Sequence, residues 1–280
     1  MSPLTILLTE WLHFRRQKAK VIASLCFLLA CGYSINNGLG LQQRQLDTIA
    51  KIETEQQEEL QKVLSWFKQE RAGPEEKSWI NARDPYWAVR STPTTILKRP
   101  SALMPLGIGQ AEQYGFYKEI SLWSTTYDTD MVEELANPER LVNGTIDFSF
   151  VVLYLLPLLL IVLTYNLGGL ERDQRFVRLI AVQTGSVKRW LLARFSSYVL
   201  LSLLTVLVCV GAVAWTNAAQ GLVTAELLSL IGLISVYVLG FALCCWGIIL
   251  TSASSSAAAF KMISLWLLLC VIIPGAVHQH

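Results

Sequence analysis

Charge is distributed along this chain in a way that suits a membrane and little else. No Asp, Glu, Lys or Arg occurs between Lys20 and Arg44, Asp147 and Glu171, Arg194 and Glu226, Glu226 and Lys261, or Lys261 and His280. A spanning helix takes roughly 20 mostly apolar residues rising ~1.5 Å each, and each of these five windows can hold one. The chain as a whole is 16% charged, against about a quarter for a soluble domain, and the charge-free windows account for the deficit. The expected fold class is an all-α polytopic membrane protein of about five spans. A mostly helical, loop-rich extracytoplasmic domain is expected between spans one and two.

The charges that remain set an orientation. The segment before the first span has Arg15, Arg16, Lys18 and Lys20 against Glu10 alone. The segment Glu171 to Arg194 has Arg172, Arg175, Arg178, Lys188, Arg189 and Arg194 against Glu171 and Asp173. Residues 44–147 have twelve basic and seventeen acidic residues. Short basic flanks stay on the cytoplasmic side, which predicts a cytoplasmic N-terminus and 171–194 loop, with 44–147 extracytoplasmic. The first apolar window follows a basic group as a signal peptide's would. Ser34-Ile35-Asn36-Asn37-Gly38 offers no small-x-small cleavage site, so an uncleaved anchor is expected.

These signals divide the chain into a cytoplasmic amphipathic segment (1–20), a first span (21–40), an extracytoplasmic domain (41–147) and a membrane domain (148–280) with an inner loop at 168–194. In the first segment, Leu4, Leu7, Leu8, Trp11 and Leu12 recur at helical spacing opposite Glu10, His13 and Arg16. This describes either a helix in the headgroup layer or an extended start to the first span. Asn36-Asn37-Gly38 marks the exit of that span. Beyond it, Leu46, Ile49, Leu60, Val63, Leu64 and Phe67 form a stripe on a long helix or helix pair, which Gly73-Pro74 should end. Residues 74–136 combine aromatics with prolines, the pattern of a loop-rich module whose aromatics form a core or, less commonly, line a groove. Pro157 should kink the second span or leave a carbonyl for a neighbour to fill. All six cysteines fall in predicted spans, where small apolar packing is their ordinary role.

Catalytic signatures are lacking: the chain has no phosphate-binding Gly-rich loop, no Gly-x-Ser-x-Gly and no His-Glu-x-x-His. His13, His278 and His280 are the only histidines, too few and too scattered to hold a metal. No cofactor is expected, nothing points to nucleic acid, and an enzyme is the least favoured class. The informative segment is the inner loop. Gly168-Gly169 precede Glu171-Arg172-Asp173, then a short amphipathic helix over 171–182 with Phe176, Leu179 and Ile180 on its apolar face. Arg175 and Arg178 point away from that face, and Thr184-Gly185-Ser186 turns the chain toward Lys188-Arg189 and the third span.

In these residues the chain resembles the permease subunits of type-2 ABC exporters. Glu171-Arg172-Asp173 stands for that family's acidic-basic-acidic triplet, Arg178-Leu179-Ile180 for its loop helix, and Gly185-Ser186-Val187-Lys188-Arg189 for its turn and re-entry. The Glu10-Trp11 segment looks like the family's interfacial helix, and the insert between spans one and two looks like a large-insert subgroup. Gln174 departs from the family's usual glycine, and the family's six spans exceed the five windows here, which implies a truncated or unusual permease. The resemblance implies a plasma (inner) membrane protein, no ATPase of its own, and a separate cytoplasmic ABC ATPase partner. It further implies a homodimer or pairing with a second permease, and contact with membrane lipid. Docking would fall to Glu171, Arg172, Asp173, Arg175 and Arg178, and hinge motion to Gly168, Gly169 and Gly185. Two other readings stay open: a mechanotransmitting ABC subunit that moves its outer domain without transport, and an ATPase-independent membrane scaffold or sensor.

Overall fold

The computed structural model describes residues 3–69, 81, 84–90, 94–109, 115–120, 146–169, 177–217 and 224–277. They form two compact units, one of residues 1–36 with 146–280 and the other of residues 37–145.

Helix dominates the first unit. α1 spans Pro3–Arg16 and α2 spans Lys18–Lys68. They are separated at Gln17, whose N–H reaches back to His13 O at 3.2 Å and Phe14 O at 3.1 Å. After the second unit come α4 (Phe148–Thr164), α5 (Val177–Thr184), α6 (Val187–Thr216), α7 (Thr224–Thr251) and α8 (Ser255–Val277). Four helices, α2, α6, α7 and α8, are long and apolar enough to cross a membrane; α4 is a shorter apolar helix. Only a tenth to a third of each long helix's apolar window is buried inside the structure. Leu233, Val236 and Leu243 on α7, and Phe260 on α8, lie open. A water-soluble bundle would not leave that much apolar surface uncovered, so these faces suit lipid.

Pro157 fulfils the expectation attached to it. Without an N–H it cannot bond the carbonyl of Leu153, and the helix accommodates it with a π-helical turn over Val151–Leu155. Tyr237 of α7 donates its hydroxyl to Leu153 O at 2.6 Å, and Trp266 of α8 donates Nε1–H to Tyr154 O at 3.1 Å. Side chains of two neighbours thus satisfy carbonyls that hydrocarbon would leave bare. A second π-helical turn, Leu268–Ile272, immediately precedes Ile273-Pro274 in α8, the same response to the same missing donor.

Two of the membrane helices are opened by their own side chains. Asp147 Oδ1 accepts the N–H of Phe150 at 2.8 Å and begins α4. The run of small residues 252–259 is divided: α7 ends at Thr251, and Ser254 Oγ accepts from Ala257 N–H at 3.2 Å to open α8.

The second unit is built on the later part of α2. The helix continues past Asn36-Asn37-Gly38, the expected exit of the first span, and α2 runs unbroken to Lys68. Gly38 is there for contact, because a Cβ on it would sit 2.6 Å from Pro105 O. Gln42, one turn on, donates to Ser101 O at 2.9 Å, and Ile49 is buried along with Ala102, Met104, Leu106 and Ile108. The helix face in use is thus Gly38, Gln42, Gln45 and Ile49, while Leu60, Leu64 and Phe67 of the expected stripe are exposed. A polar face serves there because Ser101 O, which also accepts Met104 N–H at 3.1 Å, has a second lone pair for Gln42. The Gly73-Pro74 stop lies outside the described residues.

Two short strands, unforeseen in the loop-rich expectation, pair antiparallel: β1 Thr94–Leu97 with β2 Tyr117–Ile120, Thr94 opposite Ile120 and Leu97 opposite Tyr117. At four residues each they are too brief for an alternation to stand out in sequence. A short helix, α3 (Pro85–Arg90), precedes them. Beside them lies a cleft of about 480 Å³ in which Phe116 is the one aromatic among the described lining residues.

Candidate functional site

The loop between α4 and α6 is pinned at its start. Thr164 is fully buried, its hydroxyl on Leu160 O at 2.6 Å, and Leu167 N–H returns to Thr164 O at 3.0 Å. Gly168 then adopts a φ of +75°, and a Cβ there would meet Leu191 of α6 at 3.2 Å. Gly169 has still less room: a Cβ would fall 2.5 Å from Ser255 Oγ and 2.6 Å from Ser255 N. The two glycines therefore seat the loop's first turn against the beginnings of both α6 and α8. Side chains are excluded there by left-handed backbone at one position and by contact at the other.

At the far end, Gly185 has a φ of +72° and donates its N–H to Ala181 O at 3.0 Å, closing α5 with a left-handed cap. Nothing lies within 4 Å of where its Cβ would be. Ser186 follows as the N-cap of α6, its Oγ 3.5 Å from Arg189 N. A left-handed glycine thus stands before and after the loop, and only the first is packed.

α5 between them presents Leu179 and Val182 to the outside, the latter 84% exposed. Leu179 belongs to the expected apolar face, and it and Val182, one turn apart, form an open apolar pair. Glu171, Arg172, Asp173, Arg175 and Phe176 lie outside the described residues, and Arg178 stands in the first turn of α5.

Charge pairing missed in the sequence ties this region together. Glu10 of α1, expected on the polar side with His13 and Arg16, is buried, whereas Trp11 and Leu12 are exposed. Glu10 Oε1 accepts from Arg194 Nε of α6, and Tyr198 OH donates to Glu10 Oε2 at 3.2 Å. The carboxylate side chain is 6% exposed and the arginine 12%. Aromatic rings enclose the pair. The Arg194 guanidinium sits 4.5 Å from the Trp190 ring centroid, Lys20 Nζ sits 4.3 Å from that of Tyr198, and Phe14 packs on Tyr198 at 6.4 Å. A guanidinium that donates to a carboxylate while lying against an aromatic ring is an arrangement arginine suits well.

One signal could have revealed this. Glu10 is the only acid ahead of the first span, and Arg194 is the last charge before a long charge-free window. A lone acid and a lone base at span boundaries are expensive unless paired. The pair fixes α1 to the base of α6, two turns beyond Ser186, so the helix that follows the loop and the N-terminal helix are joined.

Among the described residues no group of three His, Cys, Asp or Glu stands close enough to hold a metal. Chemically the region offers an exposed apolar helix face, a buried ion pair and glycine-shaped turns, which are means of docking and transmission. Comparison with protein-family models, curated proteins and solved structures returns no match, so this region is interpreted from its own geometry.

Proposed function

We propose that the chain is the membrane-embedded permease subunit of an ATP-binding-cassette transporter, of the exporter type. In this reading a separate cytoplasmic ATPase docks on the loop helix. One observation carries it: α5 stands between left-handed glycines Gly168 and Gly185 with Leu179 and Val182 uncovered. Apolar residues one turn apart on a short helix suit a groove in a partner. The charges of Glu171, Arg172, Asp173, Arg175 and Arg178 would give that contact its specificity.

Force received on α5 has a path into the membrane. Gly169 bears on Ser255 at the start of α8, and α6, entered through Gly185 and Ser186, is tied by Arg194 to Glu10 of α1. The basic flanks support a cytoplasmic N-terminus and loop, an extracytoplasmic 44–147 segment, and residence in the plasma (inner) membrane. A homodimer, or a pair with a second permease, would complete the transporter.

A mechanotransmitting subunit is the second reading, and the unbroken helix α2, Lys18–Lys68, favours it.

Affinity purification of the full chain from its native membrane in mild detergent, with mass spectrometry of what accompanies it, tests the proposal. It expects a stoichiometric ATPase that is lost on Glu171→Arg/Arg172→Glu and weakened by Val182→Asp. A preparation without any ATPase, from membranes that express one, would overturn it in favour of an ATPase-independent scaffold or sensor.

A further inference from the structure

The two-stranded ribbon of the second unit ends at a cleft. Strand alternation sets Lys98, one residue past Leu97, on the same face as Ile96. Lys98 stands opposite Phe116 where the ladder continues, its N–H on Phe116 O at 2.8 Å. The chain then leaves the ribbon through Arg99, Pro100 and Ser101. These residues, with Gln45 of α2, border the cleft of about 480 Å³, and its apolar wall is Leu103, Met104 and Phe116. Gln45 and Met104 are buried. The volume falls within the roughly 300–1,000 Å³ of small-molecule sites, which combine apolar walls with a few placed polar groups.

Charge in the cleft has one sign. Lys98 and Arg99 line it, and among the described residues no Asp or Glu does, although residues 44–147 hold seventeen acids against twelve bases. Arg99 Nη2 donates to Glu53 Oε1 of α2 at 2.8 Å, so its charge is matched from outside the lining. Lys98 makes no ion pair among the described residues. A lone exposed lysine is ordinary surface. What distinguishes this one is its place on a ligand-sized cleft, beside an aromatic ring and a buried carboxamide. One uncompensated positive charge matches a carboxylate, whereas a phosphate monoester, at about −1.5 to −2, carries more charge than the site neutralises.

We propose that this cleft is a binding site for a small monocarboxylate with an apolar body. Lys98 pairs with the carboxylate, and the body packs on Phe116, Leu103 and Met104. The site needs no ATPase and stands apart from the coupling reading.

The full chain in non-ionic detergent is titrated with para-trifluoromethyl-phenylacetate, with the corresponding neutral amide, and with para-trifluoromethyl-benzyl phosphate. Binding is read from fluorine NMR linewidths with empty micelles subtracted. The expectation is tighter binding of the acid than of the amide, with the phosphate no tighter than the acid. Lys98→Gln should weaken the acid by about two- to fivefold and leave the amide unchanged. Phe116→Leu should weaken acid and amide alike, so that charge and apolar wall are read separately. Lys118 lies opposite Ile96 on the same ribbon face and does not line the cleft, so Lys118→Gln should weaken the acid less than Lys98→Gln does. Equal binding of acid and amide would overturn the proposal, as would an acid preference indifferent to Lys98→Gln or an equal loss from Lys118→Gln. Binding of both probes unmoved by Phe116→Leu would remove the apolar wall from the site, and tighter binding of the phosphate would overturn the assignment of a monoanion.

Discussion

Removing one partner of the Glu10–Arg194 pair should destabilise the membrane unit far more than removing both. Both side chains are nearly sealed from solvent, at 6% and 12% exposure, and Tyr198 adds its hydroxyl to the carboxylate. Breaking a buried pair on one side leaves the other charge without its countercharge, at a cost of about 3–5 kcal/mol. Replacing both by neutral groups of similar shape is often close to neutral. For a unit of this size, Arg194→Gln or Glu10→Gln should lower the melting midpoint by roughly 6–20 °C. Glu10→Gln/Arg194→Gln should recover most of the loss. The assay is thermal melting of the purified chain in one detergent at one protein concentration, evaluated as a double-mutant cycle. Single variants melting within about 2 °C of the parent, or a double variant losing the sum of both, would refute the assignment of this pair as a buried, coupled contact.

Other consequences follow from separate observations. Gly169→Ala places a methyl 2.5 Å from Ser255 Oγ and 2.6 Å from its backbone nitrogen, so it should cost about 1–3 kcal/mol by overpacking. Ser255→Ala should not rescue it, since the backbone contact remains. Gly185→Ala meets no atom but keeps a φ of +72°, so its cost should stay near 1–2 kcal/mol; melting of the two variants compares them. Tyr237→Phe removes the hydroxyl on Leu153 O and should cost about 1 kcal/mol. The loss should shrink in a Pro157→Ala background, where the helix can supply that carbonyl's donor itself; equal losses in both backgrounds would sink the explanation.

The loop between α4 and α6 could be read ahead of its geometry only in part. Gly185 was legible as a turn residue, because left-handed backbone is a local property that glycine announces, whereas Gly168 was expected as a hinge. Gly169 was legible only as a glycine. Its reason for being one, the backbone of Ser255, lies more than eighty residues away in the chain. On α5, helical periodicity separates apolar from polar residues without saying which stripe has a neighbour. Glu10 was misplaced for the same reason: a lone carboxylate on a helix faces solvent by default, and only Arg194 and Tyr198 reverse that.

Determined by the sequence itself were the charge-free windows, the helical character that hydrocarbon imposes on them, and the carbonyl exposed by Pro157. Each follows from a constraint acting within a few residues, or from the solvent around one helix. The tertiary structure decided the rest. Gly38 became a contact for Pro105, Gln42 and Gln45 took the face expected of leucines, and Tyr237 and Trp266 supplied donors to the carbonyls ahead of Pro157. Those outcomes depend on what a distant segment brings within about 3 Å, and hydrogen bonding and contact of that range leave no periodic trace along the chain.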